Sequence, residues 1–547
     1  MKRDVFLPVA ISTLVGAFPA AAGAQSIELA ETHQSQCFDA DGASIACAGT
    51  GQDGDIRAGV AWPDPRFTDH EDGTLTDALT GLTWLADANC IASHYPDFDE
   101  DTFDGDPSGL GDGNVQWAHC LEFVDGINAG SFPDCAAGVS DWRVPNVNEL
   151  ETLTNADVVG FDDLESRGFS NLNGSGYWSS STHRLFLPGN GWFVDLGTGA
   201  VTNTDKTDVG GCLPVRGGQT DGEVDPTVPS NVARTGQTDS YQTGDDGDLR
   251  AGVAWPSPRF TDHGDGTVTD ELTGLMWLLD ANCLATQYPD VDADGKVDWP
   301  RALGFIADLN AGDHPNCAAG RNDWRLPNRR ELNSLTDHGA TTGDSLPVGH
   351  PFMNVYIDSG SGYWSSTTYL PMPSWAWMWS PKYGDVSGSP KSGERTVWPV
   401  RRNVVVEPEP RIVVTPLSID FGEVTLDQTS PPRTVTIANR GGERLDTSSM
   451  SVTNSVIFPL SVDGADDACG TQAASLEPGE SCTVQLRFVP AAVRSYEETL
   501  SIASNDPNVP RAAVSLAGEG TDYPPGTPRC GIDPMIHDFG SLPINQV

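Results

Sequence analysis

Basic residues are scarce in this sequence. Over 547 residues, 31 Lys and Arg stand against 77 Asp and Glu, which gives a formal net charge of −46 at pH 7. A surface with that balance repels phosphate backbones and anionic lipid headgroups. Neither nucleic acid nor an anionic membrane surface is therefore expected as a partner.

The usual signatures of catalysis and of thiolate metal sites are also missing. The sequence contains no GxSxG, no HExxH, no phosphate-binding glycine loop and no CxxC, the patterns that would indicate hydrolase, metalloprotease, nucleotide or zinc chemistry. We therefore expect a protein that is not an enzyme.

Long apolar runs are missing beyond the N-terminus. Residues 1–24 combine Lys2 and Arg3, an apolar stretch at 5–18 and small residues at 22–24, which is typical of a secretory signal peptide. No later stretch is long enough to span a bilayer. The mature chain is expected to be exported, whether secreted, periplasmic or at the cell surface, and to contain no transmembrane helix.

What the sequence does contain is a long repeat. Residues 57–90 and 250–283 are identical at 28 of 34 positions without a gap. The offset of 193 residues is the size of a whole domain rather than of a solenoid unit. The pattern predicts two copies of one domain. The full predicted order is signal peptide 1–24, lead-in 25–56, copy one 57–218, linker 219–249, copy two 250–403, linker 404–410, a third domain 411–521 and a further segment 522–547.

Each copy has the same predicted order of elements. A β-hairpin turns at the Asp-Gly pair 265–266 of copy two, and an amphipathic helix follows at 299–311. Asn328 and Glu331 then form a capping box, as Asn146 and Glu149 do in copy one. Short strands close each copy. Strands at both ends and helices in the middle indicate an α+β fold.

Eleven cysteines in an exported chain predict disulfides. A lone exported thiol is reactive, so bonded cysteines should be lost in pairs; Cys120 and Cys212 both lack a counterpart in copy two, where Leu303 and Trp398 stand. Cys530 is left over. The predicted bonds are Cys37–Cys47, Cys90–Cys135, Cys120–Cys212, Cys283–Cys317 and Cys469–Cys482.

Four strings in each copy resemble one protein family. In copy two they are TGLMW (273–277), DWRLPN (323–328), YWSST (363–367) and a final PVR (399–401). They resemble the Lcl C-terminal domain family, named for a collagen-like bacterial surface protein. That resemblance implies a C-type-lectin-like fold and an exported binding module, with a more distant similarity to formylglycine-generating-type domains.

The third domain has another pattern. VTPLSIDFG (414–422), TVTIANRGG (434–442), CTVQLRFVP (482–490) and SLAGEG (515–520) read as short strands between turns, which predicts an all-β immunoglobulin-like sandwich. These strings resemble ASH or choice-of-anchor D domains, which implies a spacer. Residues 536–547 echo 419–429, so 522–547 are expected to begin a second sandwich belonging to a longer gene product.

Alternating acids predict a calcium loop in copy two. Asp290, Asp292 and Asp294 precede Gly295, with Asp298 three residues later; oxygen ligands at alternate positions are how loops wrap Ca²⁺. The alternative is a solvated turn in which Asp298 caps the following helix. Copy one has a looser set at Asp97, Asp99, Asp101 and Asp104.

Three tryptophans alternate near the end of copy two. Trp375, Trp377 and Trp379 would share one face of a strand. An exposed face would form a platform for stacking sugar rings, whereas the alternative is that they belong to the core.

Together these features predict an exported binding or adhesion protein. Its expected ligand is an extracellular carbohydrate or protein, with calcium as an expected cofactor. One alternative is a structural stalk or adhesin segment that binds no small molecule, and a more remote one is an enzyme related to formylglycine-generating folds.

Overall fold

This computed structural model describes residues 26–522, with gaps at 100–110, 175, 184–188, 291, 342, 359, 361, 403–409, 440, 442, 462–468, 470–473, 478–479 and 508. The chain divides into two compact units, residues 1–403 and 404–547. The predicted signal peptide, nearly all of the 404–410 linker, and the segment after residue 522 with Cys530 lie outside the described residues.

The first unit begins with the lead-in and copy one. Its strands are β1 Cys37–Phe38, β2 Ser44–Ile45, β3 Phe67–Asp69, β4 Thr74–Asp77, β5 Leu82–Leu85, β6 Val115–Gln116, β7 Tyr177–His183, β8 Asn190–Val194, β9 Val201–Asp205, β10 Val209–Gly210 and β11 Val215–Gly217. Its helices are α1 Asp53–Ile56, α2 Cys90–His94, α3 Trp117–Asn128, α4 Val147–Glu151 and α5 Asp162–Ser166, with 3₁₀ turns at Pro96–Asp99 and Pro133–Cys135.

Copy two repeats this order. Its helices are α6 Asp246–Leu249, α7 Cys283–Gln287, α8 Trp299–Ala311, α9 Pro315–Ala318 and α10 Arg329–Asn333. Its strands are β12 Phe260–Asp262, β13 Thr267–Asp270, β14 Leu275–Leu278, β15 Lys296–Val297, β16 Tyr363–Thr368, β17 Trp375–Trp379, β18 Val386–Pro390, β19 Arg395–Thr396 and β20 Val400–Arg402.

Local sequence explains where these elements start and stop. Helix α8 begins after Asp298, whose side chain accepts a hydrogen bond from the Arg301 amide, and ends at Gly312 with φ 91°, a left-handed conformation that glycine adopts without strain. Both predicted capping boxes are present. In the hairpins, Leu75 pairs with Trp84. All four residues of β14 are buried, so this strand is covered on both faces.

The two copies share one sheet. Its strand order is β15-β19-β16-β17-β18-β9-β8-β7, and the junction is the antiparallel pairing of Val386 in β18 with Val201 in β9. These two valines occupy equivalent positions in the two copies. Antiparallel pairing of equivalent residues is what a twofold axis produces, so the tandem resembles a symmetric dimer built from one chain. Two four-stranded sheets, β11-β5-β4-β3 and β12-β13-β14-β20, complete the copies.

All five predicted disulfides form. Cys120 and Cys212 lie 5.5 Å apart at their Cα atoms, inside the core of copy one. The predicted counterparts Leu303 and Trp398 are each one position off. Aligning Trp117 of α3 with Trp299 of α8, and Val215 with Val400, places the buried Ala302 and Val397 opposite Cys120 and Cys212. The paired loss of cysteines in the sequence was therefore a sound guide to their bonding.

Residues 219–249 are not a free linker, contrary to the composition-based prediction. Ser230, Asn231, Val232, Thr235 and Gln237 are all buried, and residues 246–249 form α6. The lead-in behaves in the same way, with Thr32 and Gln34 buried. Small and polar residues suggested flexibility, but here they dock through side-chain hydrogen bonds.

The second unit is a β-sandwich. One sheet has the order β21-β23-β27-β25 and the other β22-β29-β28-β24-β26, and their facing side chains form a separate core that includes Phe421, Phe458 and Phe488. This confirms the predicted all-β domain. The strands are β21 Ile412–Thr415, β22 Ser418–Thr425, β23 Arg433–Asn439, β24 Leu445–Val452, β25 Leu460–Ser461, β26 Ala474–Leu476, β27 Ser481–Leu486, β28 Arg494–Ser504 and β29 Arg511–Thr521.

Candidate binding cleft between the two copies

The predicted calcium loop uses its carboxylates locally. Each of three aspartates has a partner within a few residues in sequence, which are the bonds expected of a capped helix preceded by a turn. The contacts are Asp298 with the Arg301 amide at 2.9 Å, Asp294 with Lys296 Nζ at 3.2 Å, and Asp292 with the Gly295 amide at 2.9 Å.

No three of these carboxylates converge. Within the described part of the chain, the one group of three ligand-type side chains with atoms inside 4.8 Å of one another is Asp87, Cys90 and His94. Cys90 is bonded to Cys135, so its sulfur is not a thiolate ligand. The described carboxylates of the copy-two loop are thus held by local hydrogen bonds in this conformation, and calcium binding stays a prediction. In copy one, Asp97 and Asp99 lie in a 3₁₀ turn, while Asp101 and Asp104 lie outside the described residues.

The predicted tryptophan platform is wrong. Trp377 and Trp379 are 1% and 0% exposed, and Trp375 is half-buried. Strand β17 lies inside the eight-stranded sheet, where Trp377 packs 4.1 Å from the Arg329 guanidinium and Trp379 Nε1 donates to Thr336 Oγ1 at 2.8 Å. Trp377 and Trp379 therefore belong to the hydrophobic core, which was the alternative interpretation of the alternating tryptophans.

Each copy is completed by the segment that precedes the other copy. Gln34 of the lead-in accepts from the Thr368 amide at 2.8 Å and donates to the Thr368 carbonyl at 3.0 Å, so the lead-in extends copy two. In the same way Gln237 accepts from the Thr182 amide of copy one at 2.9 Å. We call residues 26–56 and 230–249 the exchanged segments.

A buried aspartate anchors each exchanged segment. Asp53 and Asp246 begin the single-turn helices α1 and α6, and burial raises the pKa of each to about 6. Each carboxyl accepts one hydroxyl from its own segment and one from the strand against which it docks. These bonds are Thr32 and Thr367 to Asp53, both 2.6 Å, and Thr235 and Ser181 to Asp246, 2.5 and 2.6 Å.

A lysine holds each exchanged segment from the other side. Lys391 Nζ lies 4.1 Å from the Trp299 ring and donates to the carbonyls of Phe38 and Asp39 at 3.2 and 3.1 Å. Its counterpart Lys206 lies 3.5 Å from the Trp117 ring and 5.1 Å from Tyr241 of the second segment. Burial lowers the pKa of both lysines to about 8.

Helices α4 and α10 meet near the pseudo-twofold axis and bring buried charges together. Glu151 of copy one accepts from Arg329 Nη2 at 3.3 Å and from Asn333 Nδ2 at 3.2 Å. Arg330 donates through Nη2 to the carbonyls of Glu151, Thr152 and Thr154 at 3.4, 3.4 and 2.8 Å. These buried polar contacts link the two copies.

A cleft opens beside this cluster. Its interior volume is about 60 Å³, and both exchanged segments line it. Its apolar wall includes Ile27, Leu29, Val232, Trp255 and Leu272. Its polar lining includes Asn148, Glu151, Arg234, Arg330 and Asn333. An apolar wall with a few convergent polar groups is the usual make-up of a small-molecule site.

Sequence reasoning missed the exchanged segments and the charge cluster. A signal was present: the motif Thr-x-Gln occurs at 32–34 and 235–237, and Asp-Gly-Asp at 53–55 and 246–248, so the repeat extends upstream of residue 57. The exchange itself could not be read from it, because a motif preceding each copy is compatible with docking onto either one.

Comparison with known families identifies the repeat. The profile of the Lcl C-terminal domain family matches residues 73–216 and 266–401, together just over half of the chain. Both exchanged segments lie outside the matched regions. No curated protein matches the chain.

Solved structures resemble smaller parts of the chain. The ASH/PapD-like domain 7 of human CEP192 is 17% identical and covers 21% of this chain and 89% of its own, with a TM-score of 0.17. The periplasmic chaperone SfaE is 8% identical over 21% of this chain and 61% of its own, with a TM-score of 0.16. WR4, a C. elegans MSP family member, is 11% identical over 20% of this chain and 97% of its own, with a TM-score of 0.15. At such TM-scores these likenesses carry no argument about function.

Proposed function

The chain belongs to the Lcl C-terminal domain family, and on that premise we propose that it is an exported binding protein whose duplicated domain recognises an extracellular ligand. The five disulfides fit an exported protein. Among the described residues, no helix has the length and hydrophobicity needed to cross a membrane. The finer assignments, a C-type-lectin-like fold for each copy and an ASH or choice-of-anchor D spacer, are part of the same proposal.

The cleft between the copies is the observation that carries this proposal. It is lined by buried polar groups whose bonding is incomplete: Asn333 is 4% exposed, yet its Oδ1 has no hydrogen-bond partner within the described chain. Unsatisfied buried acceptors are costly. A ligand that donates to this oxygen would remove that cost, which a purely structural interface leaves in place.

A structural role is the second candidate. The tandem is a single unit with one shared sheet, and a separate β-sandwich follows it. Such a chain would serve as a stalk or adhesin segment with no small ligand, and the cleft would then be a by-product of how the copies meet.

Calcium assistance remains a prediction. It requires the acidic loop around Asp292 to exchange its turn hydrogen bonds for an ion, so any calcium-dependent binding would mean that the loop rearranges. Catalysis is not part of the proposal. Cys212, the thiol through which a formylglycine-type reaction in copy one would have to run, is bonded to Cys120.

The test is a binding survey with the full chain. Fluorescently labelled protein is applied to glycan and extracellular-protein arrays, with and without EDTA. If the protein recognises a ligand, the signal at some array spots should saturate as the protein concentration rises. Loss of that signal in EDTA would support a role for calcium in binding. An absence of saturable signal in both conditions would contradict a role in ligand recognition and favour the stalk.

A further inference from the structure

The charges around the cleft do not balance. Glu151 is the carboxylate at its floor, and it is already shared by Arg329 and Asn333. Arg330 and Arg234 both line the cleft as well, and Glu151 is the one carboxylate among the described residues that line it. A buried cation without a counter-ion is unfavourable, since desolvation is not offset by a partner charge.

Arg330 is the more deeply buried of the two arginines that line the cleft. It is 6% exposed, and no carboxylate of the described residues lies within ion-pair distance of its nitrogens. Its hydrogen bonds to described residues all use Nη2 and all go to backbone carbonyls. The nearby carboxylate of Asp77 is already paired with Arg66 at 2.7 Å, so it does not form an ion pair with Arg330. The guanidinium of Arg330 therefore has room for an anion in the cleft that it lines.

Asn333 adds an acceptor next to this cation. Its Nδ2 donates to Glu151 Oε2 at 3.2 Å, and this fixes the orientation of the amide, because the reversed amide would place two acceptors against each other. The Oδ1 atom is consequently free to accept a hydroxyl or N–H hydrogen.

One wall of the cleft is apolar. Ile27 and Leu272 are buried and pack with Val253 in a small cluster of their own, against which Leu29 and Trp255 also pack. Arg259 covers one face of the Trp255 ring at 4.5 Å. This wall offers contact to an apolar body beside the polar groups.

We propose that the cleft between the two copies binds a small carboxylate with an apolar body, its carboxylate on Arg330 and a hydroxyl or N–H donor on Asn333 Oδ1. This deepens the proposed binding function, on which it rests. The site belongs to the tandem, because both exchanged segments contribute to it and both lie outside the regions matched to the family.

The comparison between copies supplies the test variant. Position 330 corresponds to Asn148 in copy one, so Arg330→Asn introduces a side chain that this fold already holds at the equivalent place. Binding of 3-phenylpropionate and of its neutral analogue methyl 3-phenylpropionate, neither of which carries a hydrogen-bond donor, to the full chain is measured by saturation-transfer NMR at pH 7. Arg301→Asn, an exposed arginine on α8, is the matched control.

We expect the carboxylate to bind about tenfold or more tightly than the ester, the difference that one charge-assisted hydrogen bond confers. Arg330→Asn should abolish that preference, while Arg301→Asn should keep it. Equal binding of the two probes to the unmodified chain, or no binding of either, would overturn the proposal even if the variant failed to fold. A preference unchanged in a folded Arg330→Asn would overturn it too.

The outcomes also separate this inference from the broader function. Saturable array binding that persists in Arg330→Asn would leave the binding function standing and exclude the cleft as its site. Carboxylate binding without any array signal would keep the cleft as a small-molecule site and remove recognition of array ligands.

Discussion

In copy one the helix after the capping asparagine reads VNELE at 147–151, and in copy two it reads RRELN at 329–333. The shared Glu-Leu holds the cap and the core in both. The three differing positions lie where the helices meet. A true homodimer must place identical residues on both sides of its axis, whereas a fused tandem can set Glu151 against Arg329.

The contacts that dock the exchanged segments, away from the axis, are the same in the two copies. Asp53 and Asp246 dock the exchanged segments, and Lys206 and Lys391 hold them from the other side. The contacts of the exchanged segments are symmetric, whereas the residues of α4 and α10 at the axis differ and place charged groups beside the cleft. The cleft that we propose as a binding site therefore lies where the two copies differ.

The largest effect should come from breaking the asymmetric ion pair. Glu151→Gln keeps the shape but leaves Arg329 buried without a carboxylate, which should lower the free energy of unfolding by about 3–5 kcal/mol. Adding Arg329→Val, the residue type at position 147, should recover most of the loss, since a buried pair can be replaced by apolar packing. Urea unfolding measures both. A stability of Glu151→Gln within about 0.5 kcal/mol of the unmodified chain would contradict the buried pairing.

Removing one disulfide from each copy should lower the stability by an intermediate amount, and by different amounts in the two copies. The bond unique to copy one closes a longer loop than the shared bond of copy two, with sequence separations of 92 and 34. Cys120→Ala/Cys212→Ala should therefore cost about 1 kcal/mol more than Cys283→Ala/Cys317→Ala, each within about 2–4 kcal/mol. Thermal unfolding of the two double variants tests the order, and a reversed order would mean that local strain outweighs loop length.

The smallest effect concerns pH and should be equal in the two halves. The pKa of Asp53 and of Asp246 is raised to about 6 by burial, so the folded chain holds these protons more tightly than the unfolded chain. Their stabilising contribution is fully present below about pH 4 and is lost as pH rises through about 6. Asp53→Asn or Asp246→Asn should gain up to about 3 kcal/mol relative to the unmodified chain between pH 4 and 7.

Urea unfolding across that pH range provides the measurement. A difference that does not change with pH would mean that the carboxyl is solvated. A response from one site alone would show that the two exchanged segments are not docked alike.

Local features were predictable because their causes are local. Helix α8 has the predicted bounds 299–311, both capping boxes form, and the paired loss of Cys120 and Cys212 identified a bond that no spacing rule could supply. These outcomes depend on nearby residues or on one pair of positions.

The site was not predictable because its causes are distant. Trp377 and Trp379 alternate as an exposed platform would, but Arg329 and Thr336 cover them. Burial by residues that are distant in sequence leaves no mark on a strand's own periodicity. Residues 219–249 have linker composition, yet they dock through Thr235 and Gln237. Which copy receives each segment depends on contacts more than 50 residues apart in sequence.

The exchange of segments is the central claim, and cleavage between the copies tests it most directly. A protease site inserted after Pro226, in an exposed stretch, would separate the two copies while leaving each exchanged segment attached to the copy that it does not complete. None of the five disulfides joins the two fragments. After cleavage, native size-exclusion chromatography with light scattering should show one particle of unchanged mass, and denaturant should release two fragments. Two separate, folded fragments without denaturant would contradict the account.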